Sequence, residues 1–315
     1  MKIINTMDIP LLNEYLKQFD TINTYNDEDL DKCDIFVGNI NERELKKAKN
    51  LKLLQLSMAG SDYYKKEMFV SDCKVCNASG TFGVGISEYV IGSLIFLMRK
   101  FQTISYNQRC CKWDREGVFA KDSIYGSTIL LLGLGNIGME CAKRLKAFGC
   151  KIIGVRRHIN DKPDIIDEIY ALDDIEKILS KCDIVISSLP QYDKTKNILS
   201  AKQFELMKEG SYLVNVGRGS LLNLDDLYLS LKNRHLGGAI LDVFEKEPLD
   251  ENHPIWKLDN VFITPHIAGG MDLDINKEFF AKLAIENIEN FINKNPLKNE
   301  VDFETGYRKY QSVAK

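Results

Sequence analysis

No run of apolar residues in this 315-residue chain approaches the roughly 20 needed to cross a bilayer. The opening residues, Met1-Lys2-Ile3-Ile4-Asn5-Thr6, read as a strand and not as a secretion signal. A basic block is also missing. Lys and Arg number 42 against 45 Asp and Glu, a net charge of -3, so neither nucleic acid nor a membrane is expected as a partner. Eight cysteines are scattered without a disulfide framework, which suits a reducing cytoplasm. Cys73-x-x-Cys76 has no second ligand pair and reads as strand register around Val75, so no metal site is expected there. The adjacent Cys110-Cys111 reads as structural. Neither an internal repeat nor a low-complexity segment is evident, and the length suggests about two domains.

What is present centres on Thr128–Gly138, Thr-Ile-Leu-Leu-Leu-Gly-Leu-Gly-Asn-Ile-Gly. A short apolar run, Thr128–Leu132, has the composition of a buried strand. Gly133, Gly135 and Gly138 follow in G-x-G-x-x-G spacing. Ile137, Cys141, Leu145 and Phe148 then recur at helical intervals, Gly149 suits the cap, and Lys151–Val155 reads as a second strand. In a βαβ setting this motif binds the pyrophosphate of a dinucleotide. The first glycine permits the tight turn, the second lets backbone approach phosphate, and the third lets helix lie close on strand. The helix N-terminus offers N–H groups and a positive dipole end. The alternative is a glycine-rich turn without a ligand.

Strands and helices alternate elsewhere, which predicts parallel sheets with right-handed crossovers. Strands are expected at Lys2–Thr6, Asp34–Gly38, Leu51–Ser57 and Lys74–Asn77. Between them, helices are expected from Pro10, over Glu42–Lys49, and from a cap at Ser61 or Asp62. A long helix is expected from about Ile86 past Arg99, of a length that suits a connector between lobes. Trp113–Gly126 reads as loop. Beyond the glycine motif, helices are expected at Asp173–Ser180, after Ser200, at Leu224–Lys232 and at about Asp274–Asn293. The last of these carries an apolar stripe of Phe279, Leu283, Ile288 and Phe291 and is expected to cross back to the first lobe. The intervening strands are Asp183–Leu189, Ser211–Val216, Gly238–Phe244 and Val261–Pro265.

Open parallel sheets bind ligands at the C-terminal ends of their strands. Arg218 follows one late strand in Asn215-Val216-Gly217-Arg218-Gly219. Asp242 and Glu247 follow the next in Leu241-Asp242-Val243-Phe244-Glu245-Lys246-Glu247-Pro248-Leu249, and His266 follows the last in Thr264-Pro265-His266-Ile267-Ala268-Gly269. A guanidinium, a carboxylate and an imidazole at successive strand ends can converge on one cleft. Arg grips carboxylates with two parallel hydrogen bonds. His exchanges protons near neutral pH, and a paired Glu orients it and favours its charged form. The other histidines, His158, His235 and His253, read as ordinary structural residues.

These motifs resemble the D-isomer-specific 2-hydroxyacid dehydrogenase family, which includes glyoxylate/hydroxypyruvate reductases and phosphoglycerate dehydrogenases. The likeness covers nearly the whole chain and is densest from Gly126 to Gly270. It implies an α/β fold of two lobes. One is a Rossmann-type doubly wound parallel sheet for the cofactor, at about 98–287. The other is a smaller flavodoxin-like substrate lobe, discontinuous over 1–97 and 288–315. It implies catalysis by Arg218, Glu247 and His266, with cofactor contacts from Gly133, Gly135, Asn136, Ile137, Gly138, Ser188, Leu189, Pro190 and Val216. Asp242 would meet the nicotinamide carboxamide. Ala59, Gly60 and Ser61, in Ser57-Met58-Ala59-Gly60-Ser61-Asp62, would bind the substrate carboxylate through backbone N–H groups. The implied reaction is hydride transfer between a nicotinamide and a 2-keto acid or D-2-hydroxy acid. In it His266 gives the proton, Glu247 holds it, and Arg218 polarises the carbonyl and binds the carboxylate. Homodimers through the cofactor lobe are the family habit.

Two departures matter. Ser79-Gly80 stands where the family often has Pro-Gly. Arg156 and Arg157 stand at the end of the second strand, where NAD-dependent members place an acid for the ribose hydroxyls. Arginines there suit a 2′-phosphate, so NADP is expected over NAD, with a solvated strand end as the alternative. Other readings are weaker. A nucleotide-sensing corepressor of this fold lacks support from any basic or disordered extension. Formate dehydrogenases pair their His with Gln, whereas Glu247 is acidic. Phosphoglycerate oxidation would want a cation in the 57–62 loop, although Lys65 and Lys66 are near, and no regulatory domain follows residue 315.

Overall fold

The computed structural model describes residues 1–119, 122–157, 159, 161–304 and the backbone of 307–308. His158 and the end of the expected 288–315 segment lie outside the described residues. In chain order the elements are β1 (Lys2–Asn5), α1 (Pro10–Leu16), β2 (Asp20–Ile22), α2 (Asp27–Asp31), β3 (Ile35–Val37), α3 (Glu42–Leu45), β4 (Leu53–Gln55) and β5 (Lys74–Cys76). Then come α4 (Gly83–Met98), α5 (Phe101–Arg109), β6 (Thr128–Leu132), α6 (Asn136–Ala147), β7 (Lys151–Val155), β8 (Glu168–Tyr170), β9 (Ile184–Ser187), α7 (Ala201–Leu206) and β10 (Tyr212–Asn215). The chain closes with α8 (Leu224–Lys232), β11 (Gly238–Leu241), β12 (Val261–Ile263), α9 (Asp274–Ile292), β13 (Val301–Asp302) and β14 (Tyr307–Arg308).

Two compact units result: Met1–Phe82 with Gly270–Lys315, and Gly83–Gly269. These crossings fall earlier than the 97/98 and 287/288 expected from the sequence. Packing places α4 wholly in the second unit, against α6, β11 and β12, and α9 wholly in the first, against α1 and β4.

The first unit is built on a parallel five-stranded sheet in the order β2-β1-β3-β4-β5, the flavodoxin-like order. Ile4, Phe36, Leu54 and Val75 bring the sheet into a core completed by Leu30, Leu45, Leu51 and Tyr64. Short α2 and α3 are each fixed by an asparagine capping box, at Asn26 and Asn41. A polar pair is buried within this unit. Asn287 of α9 donates to Gln55 Oε1 at 2.7 Å and to the Lys298 carbonyl at 3.1 Å, and accepts from Lys298 N at 2.8 Å. Each buried polar atom so paired escapes the desolvation penalty.

The second unit holds a parallel seven-stranded sheet, β12-β11-β10-β9-β6-β7-β8. Counted from β6, this is the doubly wound dinucleotide order with one strand added at the edge. The order reverses between β6 and β9, and the crevice outside that point is where such sheets take ligands.

Several expectations are corrected. No helix starts at Ser61 or Asp62; a single 3₁₀ turn, Lys66–Met68, comes later. Tyr64 N–H closes a turn on the Ser61 carbonyl at 3.0 Å, and the buried Tyr64 hydroxyl donates to the Ile40 carbonyl at 2.9 Å, pulling the chain inward. The expected helix at Asp173–Ser180 is two 3₁₀ segments, Leu172–Lys177 and Leu179–Lys181. Ile175 and Ile178 are buried three residues apart, the period of that tighter helix. The long helix starts earlier, at Gly83, and breaks at Lys100, whose φ of 58° is left-handed, before α5 begins. On α9 the buried face is Asn276, Phe280, Ala281, Ala284, Asn287 and Ile288, rotated from the expected stripe because two hydrogen-bonded asparagines lie inside. Edge strands β2 and β8 were not foreseen. Both are short, partly exposed and paired on one side only.

Candidate active site

The glycine motif forms the expected strand, turn and helix between β6, α6 and β7. Gly133 has a φ of +102°, which few other residues adopt. A Cβ on Gly138 would meet the Gly133 carbonyl oxygen at 2.0 Å, so only glycine lets α6 lie this close to the strand. Gly135 is different: a Cβ there meets nothing within 4 Å. It is the N-cap of α6, and no side chain caps the helix. An open approach to an uncapped helix start fits a pyrophosphate. Asn136 and Ile137 occupy the first turn, and the buried Asn136 Oδ1 has no hydrogen-bond partner among the described residues.

On one side of that turn lies the end of β7. Arg156 is half-buried and donates from its guanidinium to the Asp161 carbonyl at 3.0 Å. Arg157 is exposed, with its guanidinium 5.2 Å from the centre of the Tyr192 ring. Tyr192 belongs to the loop after β9. Ser188 N–H there bonds the Leu132 carbonyl at 2.9 Å, Leu189 is buried, and Thr195 Oγ1 donates to the Pro190 carbonyl at 2.9 Å.

On the other side lie the ends of β10, β11 and β12. Val216 N–H bonds the Ser187 carbonyl at 3.0 Å. Buried Asn215 braces the next turn: its Nδ2 donates to the Arg218 carbonyl at 2.9 Å and its Oδ1 accepts from Gly217 N at 3.2 Å. A Cβ on Gly219 would fall 1.8 Å from the Phe244 carbonyl carbon, so the Arg218 turn and the turn after β11 meet backbone to backbone. Within that second turn Phe244 N–H donates to Glu247 Oε1 at 2.9 Å. The other carboxylate oxygen, Oε2, lies 2.8 Å from His266 Nδ1. Glu247 is therefore fixed by a backbone donor while it holds the imidazole.

Asp242, 2% exposed, organises the His266 loop. Its carbonyl accepts from His266 N at 2.8 Å, Oδ1 from Ile267 N at 2.9 Å and Oδ2 from Ala268 N at 3.0 Å. Thr264 Oγ1 also donates to Oδ1, at 2.6 Å, and Tyr89 Oη lies 2.5 Å from Thr264 Oγ1. His266 itself has a φ of 57°, a left-handed conformation that a non-glycine residue holds only when its surroundings impose it.

A sequence model described as D-isomer specific 2-hydroxyacid dehydrogenase, NAD binding domain, matches residues 91–268. Glyoxylate reductase from Thermofilum pendens is 31% identical over 240 residues, 74% of this chain and 70% of the relative. The chain therefore belongs to the D-isomer specific 2-hydroxyacid dehydrogenase family. D-3-phosphoglycerate dehydrogenase from Methanocaldococcus jannaschii is 33% identical over 223 residues, 70% of this chain but only 42% of that longer relative. Among solved structures, a D-isomer specific 2-hydroxyacid dehydrogenase family protein from Aeromonas salmonicida superposes with a TM-score of 0.83 at 31% identity, covering 96% of this chain and 98% of the other.

In this dehydrogenase-family chain the Ala59-Gly60-Ser61 loop lies in the first unit, after β4. Ala59 and Gly60 are half-buried, Ser61 is buried, and Asn77 Nδ2 lies 3.4 Å from the Ser61 hydroxyl. His235 spends its Nε2 on the Phe204 and Met207 carbonyls at 2.9 and 3.1 Å, and His253 Nδ1 accepts from Ile255 N at 3.2 Å, so both are structural. All eight cysteines are free thiols. Burial pushes Cys33, Cys141 and Cys182 up to about 12. No helix among the described residues is long and apolar enough to cross a membrane. Sequence reasoning missed Asn215, Thr264 and Tyr89. The first two lie inside recognised motifs as neighbours of the chemistry, whereas Tyr89, in the middle of α4, carries no local signal.

Proposed function

We propose that this family member reduces a 2-keto acid to a D-2-hydroxy acid with NADPH. The observation that carries the reading is the His266–Glu247 pair, 2.8 Å apart, at the C-terminal end of the dinucleotide-type sheet. Gly133, Gly135, Asn136, Ile137, Gly138, Ser188, Leu189, Pro190 and Val216 would hold the dinucleotide, with Asp242 toward its carboxamide. When bound, the nicotinamide supplies the hydride. His266 gives its Nε2 proton to the oxygen of the former carbonyl as that oxygen becomes an alkoxide. Glu247, bonded to Nδ1, fixes the tautomer that points Nε2 outward and stabilises the ring while it is charged. Arg218 grips the carboxylate and polarises the carbonyl, and its positive charge offsets the anion as it develops.

Arg156 and Arg157 support NADPH over NADH. Two guanidiniums at the end of β7 offer charge-assisted hydrogen bonds to a 2′-phosphate and repel nothing on it. The unit Gly83–Gly269 would then be the cofactor domain. The other unit would be the substrate domain, taking the acid's carboxylate on the backbone of Ala59, Gly60 and Ser61. Homodimerisation through the cofactor unit is part of the same reading. Its support is α5, none of whose residues is buried, with Phe101, Ile104, Tyr106 and Trp113 exposed on and after it. A cytoplasmic location accords with eight free thiols.

The test is a turnover screen of glyoxylate, hydroxypyruvate, pyruvate, phenylpyruvate and branched keto acids with NADPH and NADH, beside sedimentation of the free protein. Turnover of at least one acid with NADPH supports the reading. No turnover of any, with NADPH bound, would overturn it.

A further inference from the structure

Three consecutive N–H groups, those of His266, Ile267 and Ala268, end on one residue, Asp242. His266 N–H ends on the Asp242 backbone carbonyl and the next two on its carboxylate, so the orientation of that carboxylate sets the path of the loop just after the imidazole. Thr264 bonds the same carboxylate at 2.6 Å. A carboxylate can only accept, so the single hydroxyl proton of Thr264 is committed to Asp242. The other partner of the Thr264 oxygen, Tyr89 Oη at 2.5 Å, must then be the donor. Burial pushes the Tyr89 hydroxyl above its ordinary value, so it stays protonated at any physiological pH. The result is a directed chain, Tyr89 to Thr264 to Asp242, in which each bond polarises the next.

We infer that Tyr89 is a positioning residue for the His266 loop: it reaches from α4 through Thr264 to the Asp242 carboxylate and holds His266 in its left-handed conformation. Removing the tyrosine hydroxyl leaves Thr264 free to rotate and donate elsewhere. The Asp242 carboxylate then loses the bond that fixes its plane, and the N–H groups of Ile267 and Ala268 lose well-aligned acceptors. Relaxation of His266 out of the left-handed region follows, which moves the imidazole relative to the reacting carbonyl. Misplacement of about 1 Å costs up to about 10²-fold in rate. This inference rests on the proposed role of His266.

The test uses Tyr89→Phe, Thr264→Val, Thr264→Ser and the double variant Tyr89→Phe/Thr264→Val. Hydrogen–deuterium exchange is followed in the cofactor-free protein for a peptide covering 264–270, and kcat and KM for the best keto acid are measured beside it. Exchange of this peptide should be about tenfold faster in Tyr89→Phe and Thr264→Val. Thr264→Ser, which keeps the hydroxyl, should stay near the native rate. The kcat of Tyr89→Phe should fall about 3- to 30-fold while KM for the cofactor stays within about twofold. The double variant should be no worse than Thr264→Val alone, because both substitutions cut one chain. Native exchange in Tyr89→Phe, or losses that add in the double variant, would overturn the inference. His266→Ala is measured alongside. If it keeps native turnover the role of His266 fails, whereas if it is inactive while Tyr89→Phe is native in both readouts, only the positioning chain fails.

Discussion

Two corners of the cofactor sheet flank the same glycine turn and are built in opposite ways. At the ends of β10 to β12 two acidic side chains are each held by several bonds. Glu247 has a backbone donor and an imidazole, and the Asp242 carboxylate accepts from two N–H groups and a hydroxyl. At the end of β7, Arg156 has one carbonyl and Arg157 rests on one aromatic ring. Moving a proton demands fixed geometry, because rate falls steeply with distance. Choosing between two cofactors by one phosphate demands only the right charge in reach. Under the proposed function, the difference would mean that polar density goes with the chemistry while sparse, solvated charge goes with the choice of cofactor.

The contrast predicts a ranking of effects. His266→Ala or Arg218→Ala should lower kcat/KM by about 10²–10⁴, with NADPH affinity, read by fluorescence titration, nearly unchanged. Near-native turnover in either would end the assignment of the first corner. Next comes Asp242→Asn, which turns an acceptor into a donor facing N–H groups. We expect a loss of about 10² in kcat and of about 1–3 kcal/mol in unfolding free energy by urea titration. A native urea midpoint would show that the loop stands without this carboxylate.

Arg156→Asp addresses the second corner. The native protein should prefer NADPH by about ten- to hundredfold in kcat/KM, and the variant should swing toward NADH. The preference should shrink with rising salt, because exposed charges are screened. Equal use of both cofactors by the native protein would remove the role given to Arg156. The smallest effect concerns the frame of that corner. Asp167, just before β8, accepts from Lys146 Nζ at 2.6 and 2.8 Å and from Ile152 N at 2.5 Å. Burial pushes its carboxyl up, but these bonds outweigh it and hold the carboxyl below its ordinary 3.8. The stability so gained is complete above that ordinary value and is lost as pH falls through the lower folded one. Asp167→Asn should therefore be less stable than the native protein at pH 7, by under about 1 kcal/mol for so exposed a pair. The gap should start to narrow as pH falls below about 3.8 and close only once pH is under the lower folded value. A gap that persists there would mean the carboxylate's charge is not what matters.

How legible each part was in the sequence follows from the same physics. The βαβ unit around Gly133 and the helix Leu224–Lys232 were readable because caps, glycines and apolar spacing agree locally. Glu247 and His266 were readable as a pair only through whole motifs, since nothing local brings together two residues on separate turns. The face of α9 was misjudged because Asn276 and Asn287 look solvent-bound until Gly270 and Gln55 appear as their partners. The helix expected after Ser61 failed because the tertiary pull on Tyr64 overrode its neighbours. Tyr89 was silent for a related reason. A tyrosine on an apolar helix reads as core, and its partner lies 175 residues away.

Gly219 bears on how this active site could be redesigned. Its α-carbon sits so close to the Phe244–Glu245 peptide that even a methyl group would force one strand end off the other. The turn carrying Arg218 and the turn carrying Glu247 are thus a single rigid casting, joined by main chain and not by exchangeable side chains. Under the proposed function, a randomised library aimed at new keto acids would keep active members at this position only with glycine. The Ala59–Ser61 loop belongs to the other unit, so under the proposed function it can be varied without substituting either turn.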